Sequence, residues 1–403
     1  MRQPLIGFLA ALLIPLGLAL LFHALYPGKT EDRLVLEPAA FDGLPGWAED
    51  DPRPALAAFA RSCAKILARD PAASMGGAGQ AGTAGDWQAV CGLISGSNET
   101  AAAARAYFEE NFVPVTVSNG NETTGLFTGY YEPELRASLT RAPPYETPLY
   151  ARPSDLVTVD LGLFKPEWRG QRLGGRVREG ALTPFPDRAE IDRAGLGDTP
   201  VLAWLQSPVD AFFLHIQGSG RLTLPDGSPL RVGYDSQNGH PYVAIGKTLI
   251  ARGAIAREAV SMQSIREWLA ANPSEAGEVM ATNPSYVFFR KLDLPDPALG
   301  ALGAQDVQLT PGRSLAVDRK FHALGVPVWL AATVPAAEEG AADKPLRRLM
   351  IAQDTGGAIR GPVRGDVYWG WGKDAEAVAG RMKNEGRIWI LLPKAVAARL
   401  TAS

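Results

Sequence analysis

Three aspartates could supply acid–base chemistry in this chain. Asp354 and Asp366 lie twelve residues apart within the glycine-rich segment 353–370, and Asp318 lies upstream of both. Glycine lets one stretch of backbone approach another closely, so the first two aspartates converge if the segment folds back. Converging carboxyl groups raise one another's pKa, and one of them can then stay protonated and act as a general acid. The spacing leaves two alternatives open, which are a divalent-cation site and the capping of turns by aspartate side chains.

Other catalytic groups have weaker signatures. The four histidines are too scattered for a metal site, and no H-E-x-x-H motif is present. Gly218-Ser219-Gly220 lacks the G-x-S-x-G spacing of a nucleophile elbow. Two cysteines exclude a four-cysteine zinc site and an iron–sulfur cluster, and a net charge of −3 does not indicate nucleic acid as a partner. We therefore expect no cofactor and no metal.

The N-terminal segment indicates export from the cytoplasm. Residues 5–22 form a run of 18 residues without a charge, preceded by Arg2. Such a run is typical of a signal peptide or a membrane-spanning helix, and a buried core helix is the third possibility. Because no small-x-small cleavage site follows, an uncleaved anchor is favoured over a cleaved signal. The positive-inside rule then places Arg2 in the cytoplasm and the rest of the chain outside.

Export changes the interpretation of the two cysteines, Cys63 and Cys91. In an oxidising compartment a disulfide between them is expected, and the alternative is two unpaired buried thiols. The pair would close a loop rich in glycine and alanine. In the chain-entropy model such a crosslink stabilises the fold by roughly 3–4 kcal/mol.

The elements that must position these residues are mostly strands. The 43 glycines and 32 prolines among 403 residues indicate many turns and short strands. Aromatic and β-branched residues begin at Gly125, continue as short strands through residues 133–235, and return after Ser285. A hairpin is expected at residues 211–224, followed by the turn Pro225-Asp226-Gly227. Apolar residues at helical spacing predict helices over residues 55–67, 101–112 and 261–271, and another is expected near 374–383.

Strands and helices do not alternate regularly, which argues against one long parallel sheet. The predicted class is mainly β with peripheral helices.

Several sequence blocks follow one another in a distinctive order. Asp318 precedes Asp354 and Asp366, and the last two lie within D-T-G-G-A-I-R-G and R-G-D-V-Y-W-G. The upstream blocks are T-G-Y-Y-E-P (128–133), L-T-P-F-P-D-R-A-E-I (182–191), F-L-H-I-Q-G-S-G (213–220), N-G-H-P-Y-V-A-I-G-K (238–247) and N-P-S-Y-V-F-F (283–289). Together they resemble the membrane-bound lytic murein transglycosylase A family, whose C-terminal three-aspartate domain has its aspartates in this order. The resemblance spans about residues 110–395, and the order of the blocks makes it more specific than any single triplet.

The resemblance implies a non-hydrolytic cleavage of peptidoglycan. The family breaks the β-1,4 bond between N-acetylmuramic acid and N-acetylglucosamine and leaves a 1,6-anhydro end, because the muramic acid C6 hydroxyl is the nucleophile. One carboxyl group then suffices as acid and later as base, a role that falls on Asp366 with Asp354 in support. Asp354-Thr355-Gly356 is also similar to the aspartic-protease triplet, but the chain has one such triplet where that reaction needs two. A protease and a non-catalytic wall-binding module remain the alternatives.

The resemblance also implies an architecture of two β-barrel domains with the substrate groove between them. A double-psi barrel would comprise residues 32–132 and 290–403, a smaller inserted barrel residues 133–289, and the membrane anchor or signal residues 1–31. The implied substrate-binding residues are Thr128, Tyr130, Tyr131, Gln217, Gly218, Ser219, Asn238, Asp318 and Gly356.

The expected partners are peptidoglycan strands, the membrane through the N-terminal segment, and other cell-wall enzymes, with the protein itself a monomer. The chain departs from the family in one respect. Many members are lipoproteins with a cysteine directly after the signal peptide, whereas no cysteine precedes Cys63 here. A periplasmic protein of the bacterial cell envelope, membrane-anchored or released by cleavage but without a lipid anchor, is therefore expected.

Overall fold

The computed structural model describes residues 32–94, 99–168, 171–336 and 342–400. The predicted membrane segment, residues 5–22, lies outside these ranges. Within them, no helix is both long enough and apolar enough to cross a bilayer.

The described residues are mainly strands, with helices around them. The strands are β1 Leu34–Pro38, β2 Phe112–Asn119, β3 Gly125–Glu132, β4 Glu134–Ser138, β5 Thr147–Tyr150, β6 Val157–Asp160, β7 Arg172–Arg178, β8 Ala181–Pro184, β9 Val201–Leu205, β10 Ser219–Thr223, β11 Pro229–Gln237, β12 Val287–Lys291, β13 Ser314–Val317, β14 Pro327–Val334, β15 Lys344–Asp354, β16 Arg364–Trp371 and β17 Lys383–Pro393. The α-helices are Arg53–Leu67, Ala84–Cys91, Ala101–Asn111, Arg188–Ala194, Pro208–Gln217, Ile245–Ala251, Met262–Ala271, Pro273–Ala281, Gly372–Ala379 and Lys394–Leu400.

The first barrel is closed by six strands from two distant parts of the chain. Its order is β17-β14-β15-β13-β16-β3, and a further pairing of β3 with β17 completes the ring. The pairs β13–β15 and β16–β3 are parallel, and the other neighbours are antiparallel. Residues 327–330 of β14 and 388–393 of β17 are buried without interruption, as expected for strands covered on both faces. Their main core contains Phe59, Trp87 and Trp329, so helices pack directly on the barrel.

The second barrel is built from the middle of the chain. Its strand order is β12-β11-β10-β4-β9-β5. A bridge between Ala151 and Phe289 brings the chain after β5 beside β12, so this sheet also curls round on itself. A three-stranded sheet, β6-β7-β8, accompanies it. The sequence-based class, mainly β with barrels and peripheral helices, is confirmed.

Cys63 and Cys91 form a disulfide in this structure, with Cα atoms 5.4 Å apart. It joins the helices Arg53–Leu67 and Ala84–Cys91, which both pack on the first barrel.

The expected hairpin at residues 211–224 is wrong in its first half. The helix Pro208–Gln217 occupies that stretch, because Ser207 caps it by accepting a hydrogen bond from Asp210 N and Pro208 suits its first turn. Gly218 ends the helix with a φ of +76°, a conformation that favours glycine. The turn after Leu224 is right, but it joins β10 to β11. The helix expected near 374–383 is Gly372–Ala379, and Lys383 begins β17.

Candidate active site

Strand pairing places the two glycine-flanked aspartates in one row across the first barrel. Asp366 on β16 is opposite Thr128 on β3 and opposite Ala316 on β13. Ala316 is in turn opposite Asp354 on β15. Directly opposed residues project from the same face of a sheet, and two strand spacings separate the aspartate backbones by about 10 Å. Ala316, with its single methyl group, lies between the two aspartates in this row.

Asp366 has the properties of an acid–base group. Its half-buried position raises the pKa of its carboxyl group to about 6, and the nearby charge of Asp354 adds to this rise. The Thr128 hydroxyl donates to Asp366 Oδ1 at 2.6 Å, and both this bond and the Arg364 guanidinium oppose the rise. Among the residues that the structure describes, no protein group hydrogen-bonds Oδ2. A carboxyl group with a near-neutral pKa and one free oxygen can give and take a proton.

Asp354, in contrast, uses both oxygens for protein contacts. The Tyr130 hydroxyl donates to Oδ2 at 2.7 Å, and the backbone amides of Ala304 and Thr355 each donate to Oδ1 at 2.9 Å. Burial raises the pKa of Asp354, and these three hydrogen bonds oppose the rise. Asp354 is thus held in place and acts on Asp366 through its charge.

Asp318 lies outside this row and organises the turn between β15 and β16. Its Oδ2 accepts from Gly361 N at 2.8 Å and its Oδ1 accepts from Lys320 N at 3.0 Å. The carboxyl group is buried, and Gly361 has a φ of +107° that favours glycine. Gly356 lies in the same turn, half-buried. The resemblance implied ligand contacts for Asp318, whereas its observed contacts are to two backbone amides and to the Arg360 guanidinium, 3.8 Å from Oδ1.

Four further predicted site residues meet where the second barrel joins β3. Gln217 Oε1 accepts a hydrogen bond from Tyr131 N at 3.1 Å. The Tyr131 ring is buried and its hydroxyl donates to Glu376 Oε1 at 3.0 Å. Gly218 and Ser219 directly follow Gln217, at the transition from the helix into β10. The hydrogen bond between Gln217 and Tyr131 therefore holds the end of this helix and the start of β10 against β3, the strand that carries Thr128.

Asn238 is not placed at the aspartate row. Its side chain is 0% exposed. Its Nδ2 donates to the carbonyl oxygens of Pro186 and Pro284 at 2.9 and 3.0 Å, and its Oδ1 accepts from Tyr286 N at 2.9 Å. The amide therefore ties three chain segments together and leaves no group for a ligand.

Sequence reasoning missed an ionic cluster centred on Glu132. This carboxylate is 0% exposed and accepts from Arg231 Nη2 at 2.8 Å, Arg221 Nε at 3.1 Å and the Tyr368 hydroxyl at 3.1 Å. It thereby links β3 of the first barrel to β10 and β11 of the second. A buried carboxylate needs such partners, because an unpaired charge would be very costly. The alternation of Thr128, Tyr130 and Glu132 along β3 was the available signal, since strand residues two apart share a face.

Metal ligation receives no support from the side-chain placement. In the described ranges, no three or more histidine, cysteine, aspartate or glutamate side chains are grouped as a metal site would require.

Comparison with known proteins gives consistent matches. Residues 126–290 match the family model for the MltA specific insert domain, and residues 313–392 match that for the 3D domain. The membrane-bound lytic murein transglycosylase A of Escherichia coli (strain K12) is 36% identical over 269 residues, which cover 66% of this chain and 65% of that relative. The match thus spans slightly less than two thirds of the relative's own length.

Solved structures match over a larger part of the chain. The membrane-bound lytic murein transglycosylase from Agrobacterium tumefaciens superimposes with a TM-score of 0.79 at 37% identity, covering 90% of this chain and 99% of that one. Escherichia coli MltA with bound chitohexaose superimposes with a TM-score of 0.62 at 28% identity, covering 91% and 95% of the two chains.

Proposed function

Because this chain belongs to the membrane-bound lytic murein transglycosylase A family, we propose that it is a peptidoglycan lytic transglycosylase. The bond cleaved is the β-1,4 linkage between N-acetylmuramic acid and N-acetylglucosamine. The observation that carries this proposal is the pairing of Asp366, whose carboxyl pKa is about 6 and whose Oδ2 is free among the described residues, with the fully hydrogen-bonded Asp354. In such a pair Asp366 supplies the proton that is transferred, and Asp354 supplies a negative charge at a fixed position.

The reaction proceeds in two proton transfers through Asp366. The protonated carboxyl group first donates its proton to the glycosidic oxygen, and the bond between that oxygen and C1 of the muramic acid breaks. The C6 hydroxyl oxygen of the same sugar then bonds to C1, and its proton returns to the Asp366 carboxylate. The products are a free N-acetylglucosamine end and a 1,6-anhydro end, with no water consumed. An intramolecular nucleophile gains a large advantage from proximity, so a second catalytic carboxylate is unnecessary.

Asp354 supports Asp366 in this scheme. Its negative charge disfavours a second negative charge nearby and so helps to keep Asp366 protonated. The hydrogen bonds from Tyr130, Ala304 and Thr355 fix its position. They also favour its ionised form, which the scheme requires.

The glycan would lie in the groove between the barrels, next to the aspartate row. The bound chitohexaose of the Escherichia coli protein supports a sugar strand as the ligand. Among the residues that the resemblance implied, Tyr130, Gln217, Gly218 and Gly356 are partly exposed and available to contact it. Tyr131 and Ser219 are buried, and the Thr128 hydroxyl is occupied by Asp366 and Arg364. The domain boundaries at residues 32–132 with 290–403, and 133–289, remain part of this proposal. We also propose that the protein is located in the cell envelope and attached to the membrane through residues 1–31.

Mass spectrometry of the products from purified peptidoglycan tests the proposal. Muropeptides with 1,6-anhydro ends, one water lighter than hydrolysis products, are expected. Reducing-end products alone would make the protein a hydrolase. Peptide cleavage without glycan cleavage would favour the protease alternative, and binding without any product would favour a wall-binding module.

A further inference from the structure

The hydroxyl group of Thr128 lies between a cation and the proposed catalytic acid. Arg364 Nη2 is 2.8 Å from Thr128 Oγ1, and Asp366 Oδ1 is 2.6 Å from the same oxygen. All three side chains come from one face of the β16–β3 pair, because Arg364 and Asp366 are two residues apart on β16 and Asp366 is opposite Thr128.

The number of hydrogens decides the direction of both contacts. A guanidinium group has only donors, so Arg364 donates and Thr128 Oγ1 accepts. The threonine hydroxyl has a single hydrogen, and Asp366 Oδ1 is the acceptor found for it among the described residues. Asp366 Oδ1 is therefore an acceptor in this arrangement.

We propose that Arg364 is a positioning residue that, acting through Thr128, keeps the transferable proton of Asp366 on Oδ2. This inference rests on the proposed function and deepens it. A proton on Oδ1 would point at Thr128 Oγ1, which already accepts from Arg364, and would leave the threonine hydrogen without its partner. A proton on Oδ2 keeps both hydrogen bonds and lies on the oxygen that has no protein partner in the described structure. The leaving glycosidic oxygen should thus approach Oδ2.

The backbone holds Arg364 in this position. Its Nη1 donates to the carbonyl oxygen of Leu126 at 3.2 Å and also to that of Gly365. The side chain is half-buried, so the guanidinium is fixed between β16 and β3 instead of moving freely in solvent. A fixed donor gives the hydroxyl one orientation, which a mobile surface cation would not do.

The kinetic test is a double-mutant cycle with Thr128→Val and Arg364→Met. Val keeps the shape of Thr without the hydroxyl, and Met keeps an apolar stem without the donors. Each single variant should lower kcat about tenfold, the size expected for losing one hydrogen bond to a charged group, while KM changes by less than about twofold. The double variant should lose little more than either single one, because Arg364 acts through Thr128.

Matched variants control for general damage. Thr128→Ser retains the hydroxyl and should keep most of the wild-type kcat. Arg53→Met removes an exposed arginine paired with Asp51 and controls for loss of a positive charge. Additive effects of about a hundredfold in the double variant would overturn the inference. A raised KM with unchanged kcat in Thr128→Val would also overturn it and would make Thr128 a glycan ligand.

A measurement without substrate separates this inference from the proposed function. Carboxyl-carbon NMR titration of Asp366 should show its pKa rising above about 6 in both single variants, since the Thr128 hydrogen bond and the Arg364 charge both lower it. The effect of Arg364→Met on that pKa should shrink when Thr128 is already Val. An equal effect in both backgrounds contradicts the inference even if the protein cleaves peptidoglycan. A protein that shows the expected titration but cleaves no glycan contradicts only the proposed function.

Discussion

Replacing Asp366 by Asn is the most direct test of the proposed chemistry. The amide keeps the shape of the side chain and can still accept a hydrogen bond from Thr128, but it has no proton to transfer. Proton transfer by a positioned group contributes about 10²- to 10⁴-fold to rate, and no other carboxyl group in the row has a free oxygen. Asp366→Asn should therefore lose at least about a hundredfold in peptidoglycan turnover.

The structure also gives the size of the pKa effect. With a pKa of about 6, roughly one Asp366 in ten is protonated at pH 7, against roughly one in a thousand at the ordinary aspartate value of about 3.9. Burial is the main cause, and the charge of Asp354 contributes less. Asp354→Asn should consequently reduce turnover by about tenfold or less. Wild-type kcat/KM should fall as the pH rises through about 6, because the acid form of Asp366 is lost.

The raised pKa has a consequence for stability. A carboxyl group whose pKa is higher in the folded state stabilises the fold below its unfolded pKa, and this contribution disappears as the pH rises through about 6. Asp366→Asn removes the buried charge, so at pH 7 the variant should be more stable by up to about 3 kcal/mol, less where solvent reaches the half-buried group. A loss of activity with raised stability cannot be attributed to misfolding.

The assay compares turnover of purified peptidoglycan by the two variants, with glycan binding checked by pull-down on insoluble wall and stability by thermal unfolding. Asp42→Asn, a change at an exposed carboxylate, is the matched control and should behave as wild type. If Asp366→Asn keeps more than about a tenth of the activity while Asp354→Asn is inactive, the two roles are reversed.

Three further predictions concern other parts of the molecule. Burial and the Arg188 charge lower the pKa of His215, whose Nδ1 lies 3.0 Å from Arg188 Nη2. Wild type should therefore lose stability relative to His215→Asn as the pH falls below about 6.5, measured by chemical unfolding. Parallel pH curves for the two proteins would contradict this. Thiol labelling after non-reducing denaturation should find no free cysteine, and stoichiometric labelling would show that the thiols are unpaired. Replacing Cys63 and Cys91 by Ser should lower the free energy of unfolding by roughly 3–4 kcal/mol. EDTA should leave glycan cleavage unchanged, and activity lost to EDTA but restored by a divalent cation would favour a cation site.

Residue types and their order along the chain are enough to indicate the chemistry. The order of the three aspartates and the neighbouring blocks led to the family, because residue types and their spacing can be recognised in the sequence itself. Local patterns also predicted several elements correctly, including the helices Arg53–Leu67 and Met262–Ala271. These features depend on residues close together in the chain, where periodicity and capping are visible.

The hairpin expected at residues 211–224 shows where local patterns fail. A short apolar run fits a buried strand or a buried helix equally well by periodicity. The cap at Ser207 favoured the helix, and so did the burial of Leu214 in the core of the second barrel and of Phe212 among neighbouring helices.

Only the tertiary structure decided what each site residue does. Thr128 meets Asp366 across 238 positions of sequence, through a parallel pairing that no local pattern specifies. The same folding buries Asn238 among backbone groups and gives Asp318 the contacts of a turn residue. It also surrounds Glu132 with two arginines and places Arg364 on Thr128. Burial and strand register are properties of the whole chain, and they determine which carboxyl group has a raised pKa and a free oxygen.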